Sequence, residues 1–246
     1  LRLVGSEMCI RDSNYASGSQ VSFVFGGYVR TALYQGDFTV ADAFNEQSTG
    51  ESAIDHSAGS SLVVCDLSGA QLASICVFDA ACSGVTPQGR TYGGAGTLHT
   101  GNLRYRYHIS DGQISCDVSS IEVYFPESDS WQPLDFHKAY STSFTFESSQ
   151  NLVSLLPWAS KMATGQALPF APYDEATGTY MDVPSDNKSE EYYRFWAPYC
   201  RGKGVLEGTS YELKSWTALY YYAASMNGTL SDAYTPDHLM QTRIQG

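Results

Sequence analysis

Short apolar runs and alternating runs along the chain predict a set of β-strands. Continuous apolar residues over four or five positions are typical of strands buried on both faces, and alternation is typical of strands with one buried face. Five runs have one of these patterns: residues 21–25, 62–65, 98–109, 118–125 and 140–146. Between the third and fourth runs, the Ser110-Asp111-Gly112 segment predicts a hairpin turn, because Asp and Gly tolerate the backbone angles that tight turns require.

Helix signals lie between these strands. Thr39 is placed to cap a helix that begins at Val40. Ser68 and Gln71 have the spacing of a capping box, which predicts a helix running through Phe78.

Two further helices are predicted in the second half of the chain. Ser148 or Ser149 is expected to cap a helix that runs to about Met162 and is ended by Gly165, with a kink near Pro157. The pattern of residues 211–226 predicts a last helix with an aromatic face. Residues 83–96 are rich in Gly, Thr and Pro and are predicted to be a loop.

These signals together predict an α+β fold, with a mixed β-sheet and packed helices. Residues 14–246 have the length of one large domain. Residues 166–210 are aromatic-rich and interrupted by Pro, Gly, Asp and Ser, so we interpret them as an insertion whose rings attach the loop to the body. Residues 1–13 resemble a translated sequencing adaptor and start with Leu, so we expect them to be an artefact at the end of a truncated chain.

Charge and residue spacing exclude several classes of function. The net charge of −12 disfavours binding to a nucleic-acid polymer, which needs a basic surface. No apolar run approaches the ~18 residues of a membrane span. The five histidines are scattered, without His-x-His or Glu-x-x-His spacing, and Cys-x-x-Cys is absent, so neither a dinuclear metal centre nor a structural zinc site is predicted.

Cysteines and sequons bear on the compartment. Cys76 and Cys82 are close enough in sequence to suggest a local disulfide. For Cys65, on a predicted strand, a buried free thiol is as good an interpretation as a disulfide. Asn187 and Asn227 each begin an Asn-x-Ser/Thr sequon and are candidate glycosylation sites.

One motif stands out from the rest of the chain. The strand at 21–25 runs into Gly26-Gly27-Tyr28-Val29-Arg30, and a Gly36-Asp37-Phe38-Thr39 turn then leads into the Val40 helix. Glycine allows close approach of the backbone, and arginine offers a permanently charged fork suited to phosphate or carboxylate.

This order resembles the C-terminal, substrate-binding domain of the 5′-nucleotidase family of metallophosphoesterases. Further segments resemble that family in the same order, roughly over residues 20–155 and 212–245. They are Leu62-Val63-Val64-Cys65-Asp66-Leu67-Ser68-Gly69-Ala70-Gln71-Leu72, Gly101-Asn102-Leu103-Arg104-Tyr105-Arg106-Tyr107, Lys138-Ala139-Tyr140-Ser141-Thr142 and Arg243-Ile244.

The resemblance implies a substrate-binding set for a nucleotide or related phosphate ester. Arg30, after Gly26 and Gly27, matches the phosphate-binding arginine; its structural alternative is a surface salt bridge to Asp37 or Glu46. The base would lie between aromatic rings, for which Phe144 and Phe146 are the candidates. Asn151 ends the segment 148–151 that stands in place of the family's glycine-rich turn.

The chain departs from the family pattern at the base site. Phe25 replaces the Asn that precedes the glycines, and neither Ser48-Thr49-Gly50 nor Ser57-Ala58-Gly59 supplies the family's first stacking ring. The ribose-binding Asp is absent as well. Base stacking is worth ~1–3 kcal/mol per ring in nucleic-acid binders, so these losses weaken nucleotide recognition.

The resemblance also implies a partner domain and a location. In the family, an upstream metallophosphatase domain holds two divalent metals that activate water for attack on phosphate. We therefore expect no catalytic residue and no cofactor in this chain, and a secreted or luminal protein. The alternatives are a non-catalytic secreted binding module on the same fold, and a structural glycoprotein with an exposed aromatic interface at 173–199.

Overall fold

A computed structural model describes residues 12–31, 37–85, 91–93, 96–200, 212–226 and 243–245. The strands are β1 (Val21–Phe25), β2 (Leu62–Ser68), β3 (Ser83–Val85), β4 (Thr91–Gly93), β5 (Leu98–Gly101), β6 (Leu103–Ser110), β7 (Gln113–Phe125), β8 (Ser130–Pro133), β9 (Ala139–Thr145), β10 (Tyr173–Asp174), β11 (Thr179–Tyr180) and β12 (Arg243–Gln245). The α-helices are α1 (Val40–Glu46), α2 (Gly69–Cys82), α3 (Phe146–Thr164), α4 (Glu190–Trp196) and α5 (Ser215–Ser225). Residues 12–17 are also helical.

Two main sheets form the body, and their strands confirm the predicted α+β fold. The first has the order β2-β9-β1-β5, in which β1 runs parallel to β9 and antiparallel to β5. The second has the order β12-β6-β7-β3-β4, with β8 paired to β7. The predicted hairpin joins β6 to β7, and its turn residues Asp111 (φ 52°) and Gly112 (φ 74°) have the positive φ that suits a tight hairpin.

Helix capping follows the sequence closely. Both halves of the capping box form at Thr39 and Asp42 on α1, and at Ser68 and Gln71 on α2. On α3 the cap is Thr145 rather than Ser148 or Ser149, because β9 continues directly into the helix and leaves no room for a separate loop.

Other boundaries differ from the sequence-based expectation. Residues 83–85 and 91–93 pair as the antiparallel strands β3 and β4 within the segment predicted to be a loop. Helix α5 begins at Ser215, because the preceding residue Lys214 is extended and its neighbour Leu213 bonds through its backbone to Leu62 and Cys200. Gly165 ends α3 at φ 79°, as predicted.

Aromatic rings dominate the packing of the first sheet. Phe23 and Phe144 stack at 5.1 Å, and Phe170 and Trp196 contact Phe144 edge-on. Phe170 and Trp196 come from the aromatic-rich segment, so its described part, residues 166–200, contributes rings to the core. Its other rings are buried or half-buried: Tyr173, Tyr180, Tyr192, Tyr193, Phe195 and Tyr199. This confirms the packing role expected for its rings; its standing as an insertion remains a prediction.

The described part of the chain holds no helix that is both long enough and apolar enough to cross a membrane.

Candidate functional site

The Gly-Gly corner lies where β1 ends. Residues Gly26–Tyr28 form a single turn of 3-10 helix, and the Gly26 amide donates to the Thr97 carbonyl at 2.8 Å. Neither Gly26 nor Gly27 has a positive φ. The backbone angles at this corner therefore do not require glycine.

Arg30 follows this corner and projects into solvent. Its backbone amide donates to the Glu46 carbonyl at 2.8 Å, which ties the segment to the end of α1. Its guanidinium contacts the Gly27 carbonyl at 3.4 Å and forms no ion pair with a carboxylate among the described residues, Asp37 included. The charged fork is therefore open to an incoming anion, and the alternative salt bridge to Asp37 or Glu46 does not form.

Asn151 reaches the same corner from the first turns of α3. Its side-chain amide donates to the Tyr28 hydroxyl and to the Glu147 carbonyl. Burial and the nearby Glu147 charge raise the pKa of Tyr28 to about 12, against the opposing effect of the bond from Asn151. Tyr28 thus stays a neutral phenol at physiological pH, and the fold brings Asn151 to the corner that contains Gly26, Gly27 and Arg30.

Phe144 and Phe146 lie elsewhere, and their predicted stacking role needs correction. Residues 142–145 are buried without a break, which means that both faces of this part of β9 are covered. Phe144 packs among core rings, and Phe146 packs against Tyr192 and Tyr193. Neither ring presents a face to solvent, so neither can sandwich a base in this conformation.

Glu147 is a carboxylate that no motif in the sequence singles out. Its Oε1 accepts from the Glu51 amide at 2.7 Å, whereas its buried Oε2 has no hydrogen-bond partner among the described residues. Burial raises the pKa of Glu147, and the hydrogen bond from the Glu51 amide partly opposes that rise. Gly50 (φ 88°) lies directly against this carboxylate, where a Cβ would overlap it.

A small cavity adjoins Glu147 and Tyr28. Its volume is about 10 Å³, and Thr49 and Ser60 contribute polar groups to its lining. That volume is enough for about one water molecule and far too small for a nucleotide. Any phosphate ester bound at this corner would therefore lie on the surface, beside Arg30.

His56 lies between two carboxylates and an aromatic ring. Its two ring nitrogens lie 3.6 Å from a Glu51 oxygen and 3.5 Å from a Glu190 oxygen, and its ring packs on Tyr193 at 4.6 Å. The His56 side chain is thus half-exposed. No cluster of three or more His, Cys, Asp or Glu able to hold a metal ion occurs among the described residues, so no step of a metal-assisted reaction is assigned to them.

The structure corrects the suggested disulfide. Cys76 and Cys82 both lie in α2, and both thiols are free, as are Cys65, Cys116 and Cys200. Six helical residues advance ~9 Å along the axis, which exceeds the Cα separation that a disulfide spans. A bridge between them would require the helix to unwind.

The two sequons differ in what the structure describes. The Asn187 side chain is partly buried and donates to the Gln150 carbonyl at 2.6 Å. Asn227 lies outside the described residues. Glycosylation at either position remains a prediction.

Comparison with known proteins finds similar folds among solved structures. The chain matches no protein-family model and no curated protein. A 5′-nucleotidase precursor from Thermus thermophilus is 17% identical, with a TM-score of 0.46 over 85% of this chain and 35% of that chain. NAD nucleotidase from Haemophilus influenzae is 14% identical, with a TM-score of 0.45 over 86% of this chain and 32% of that one.

A third similar structure is a putative 5′-nucleotidase from Staphylococcus aureus in complex with alpha-ketoglutarate. It is 9% identical, with a TM-score of 0.49 over 98% of this chain and 36% of that chain. The chain thus spans about a third of the length of these proteins. All three are nucleotidases by name; at these identities and TM-scores, no activity, substrate or site residue is carried over from them to this chain.

Proposed function

We propose that this chain is the substrate-binding, C-terminal domain of a 5′-nucleotidase-like phosphohydrolase, and that Arg30 contacts the phosphate. The observation that carries the proposal is the exposed Arg30 guanidinium, which is held at the Gly-Gly corner and left without a carboxylate partner among the described residues. A fork of this kind pairs with two phosphate oxygens at once. Asn151 and the neutral Tyr28 phenol, which are hydrogen-bonded to each other at the same corner, supply further polar groups.

The proposed substrate class is a phosphate ester recognised mainly through its phosphate. The candidate stacking rings Phe144 and Phe146 are buried, and the cavity beside Tyr28 holds about one water. Recognition of a base therefore contributes little. Catalysis, with its two divalent metals, is proposed to belong to an upstream domain, because the described residues supply no ligand set for them.

Binding of phosphate esters to the chain tests the phosphate role directly. Adenosine monophosphate, ribose 5-phosphate and adenosine are titrated into wild type and Arg30→Ala, with binding followed by NMR chemical shifts. Arg194→Ala is the matched control, since Arg194 is an exposed arginine far along the chain in α4. Loss of a charge-assisted contact predicts at least about tenfold weaker binding of both phosphates to Arg30→Ala alone.

Two outcomes would contradict the proposal. Binding of adenosine as tight as that of its monophosphate would show that the base, not the phosphate, is recognised. Equal phosphate binding by wild type and Arg30→Ala would remove Arg30 from the site.

The competing function is a non-catalytic secreted binding module on the same fold, and the buried base-site rings favour it. Recovering the upstream coding sequence separates the two. An upstream domain with Asp-x-His, Asn-His-Glu and His-x-His motifs supports the hydrolase, whereas a signal peptide that runs straight into this domain supports the binding module. The secretory location belongs to both proposals. The structural glycoprotein gains no support, because Tyr192, Tyr193 and Trp196 are buried.

A further inference from the structure

A second, larger pocket lies at the other end of β1 from the Gly-Gly corner. Its volume is about 490 Å³, within the range of ligand pockets in proteins. It opens between the two sheets, where the start of β1, the β5–β6 turn and the end of β7 meet. The described residues that line it and enter the argument are Asn14, Tyr15, Gln20, Asn102, Glu127 and Ser141.

Asn102 fixes the shape of this pocket. It has a left-handed backbone (φ 59°), a conformation that Asn tolerates better than most residues. Its side-chain amide donates to the Gln20 carbonyl at 2.8 Å, and its own carbonyl accepts from the Tyr124 amide at 2.9 Å. One residue thereby ties the first sheet to the second, so the pocket is built into the fold.

Polar groups remain available to a ligand. The side chains of Gln20 and Ser141 make no hydrogen bond within the described part of the chain. Asn14 accepts through its Oδ1 from Ser19 at 3.3 Å, so its amide N–H groups are not used by that bond. The exposed phenol of Tyr15 adds an aromatic face and a hydroxyl.

The charge of the lining selects the class of ligand. None of the described residues that line it is a Lys or Arg, and Glu127 is an exposed carboxylate at its rim. An anionic ligand would therefore be repelled by Glu127 with no cation beside it among these residues, unlike at the Arg30 corner. Amides, hydroxyls, one carboxylate and an aromatic ring can instead bond the paired donor and acceptor hydroxyls of a neutral ligand.

We propose that this pocket binds an unphosphorylated saccharide, independently of the phosphate corner at Arg30. Gln20 and Glu127 supply hydrogen bonds to sugar hydroxyls, and Asn102 holds the pocket open. The two sites occupy opposite ends of β1, so a ligand at one does not touch the other.

Saturation-transfer NMR of the full chain tests the proposal with a stated panel: glucose, galactose, mannose, N-acetylglucosamine, maltose and lactose, with glucose 6-phosphate for comparison. At least one neutral sugar is expected to bind saturably, with a Kd of about 5 mM or tighter. Gln20→Ala and Glu127→Gln should each weaken that binding about fivefold, the loss expected for one hydrogen bond. Gln166→Ala, which removes an exposed amide outside the pocket, is the matched control.

The outcomes separate this proposal from the phosphate site. Arg30→Ala should leave sugar binding unchanged, and Gln20→Ala should leave phosphate-ester binding unchanged. The proposal is overturned if no neutral sugar binds up to about 20 mM, if glucose 6-phosphate binds to Arg30→Ala more tightly than glucose does, or if Glu127→Gln and Gln20→Ala both bind like wild type. Circular dichroism of each variant checks the fold, and Glu127→Gln, at an exposed position, keeps the test valid if Gln20→Ala unfolds.

Discussion

Replacing Gly69 by Ala is expected to destabilise the protein strongly, although the same change in an ordinary helix is stabilising. Gly69 is the first residue of α2, and its φ is not positive, so alanine meets no backbone penalty there. A Cβ at this position would, however, overlap the Asp135 carbonyl oxygen and lie 3.0 Å from the Phe136 Cα. These atoms belong to the main chain and cannot rotate away.

The magnitude follows from the contacts that must move. The Gly69 amide donates to the Lys138 carbonyl at 3.0 Å, and the Ala70 amide donates to the Phe136 carbonyl at 3.1 Å. Overpacking of this kind costs ~1–3 kcal/mol, and each strained or broken bond costs ~1 kcal/mol. Alanine recovers about 0.4–1 kcal/mol by restricting the unfolded chain. We expect the free energy of unfolding to fall by about 2–4 kcal/mol.

Urea denaturation followed by tryptophan fluorescence measures this change, with Gly96→Ala as the matched control. A Cβ at Gly96 would lie 3.5 Å from the Cys82 sulfur, an ordinary contact, and its φ is not positive. Gly96→Ala should therefore be neutral or slightly stabilising. If Gly69→Ala lowers the free energy of unfolding by less than about 0.5 kcal/mol, the size of an ordinary surface effect, the close approach of this turn to α2 is refuted.

Three further predictions concern buried polar groups. Burial raises the pKa of Glu147 above its usual 4.5, so ionisation destabilises the folded state, and the stability lost grows as pH rises from about 4.5 through the folded pKa. The stability of Glu147→Gln relative to wild type should therefore rise between pH 4.5 and 8. A stability difference that does not depend on pH would contradict this. Tyr105 donates to the buried Asp79 carboxylate at 2.8 Å, so Tyr105→Phe should lower the free energy of unfolding by about 1–3 kcal/mol. The same urea titration measures this change, and an unchanged free energy of unfolding would show that the bond is dispensable. Burial raises the pKa of the fully buried Cys76 thiol more than that of the half-buried Cys82 thiol, so N-ethylmaleimide should modify Cys82 first in the native protein. Both cysteines should react without reductant once the protein is unfolded, because both thiols are free. If neither reacted, a disulfide between them would have to be accepted.

Local sequence patterns were sufficient to predict most of the strands, helix caps and turns. The apolar run at 21–25, the capping boxes at Ser68 and Thr39, and the Asp111-Gly112 turn each act over a few adjacent residues, so the sequence alone determined them. The same holds for Gly165, whose lack of a side chain suits the left-handed end of a helix. The position of a charged Arg30 after a strand end is likewise a local property, whereas its exposure is not.

Tertiary structure alone decided which groups are available to a ligand. The sequence makes Phe144 a candidate stacking ring. In the structure, Phe23, Phe170 and Trp196 from three distant segments pack against its ring and bury it. Glu147 gains a raised pKa only because a distant loop covers it. The pocket at Gln20 exists only because Asn102 joins two sheets. Burial and desolvation depend on what covers a residue from outside its own element, and no short stretch of sequence contains that information.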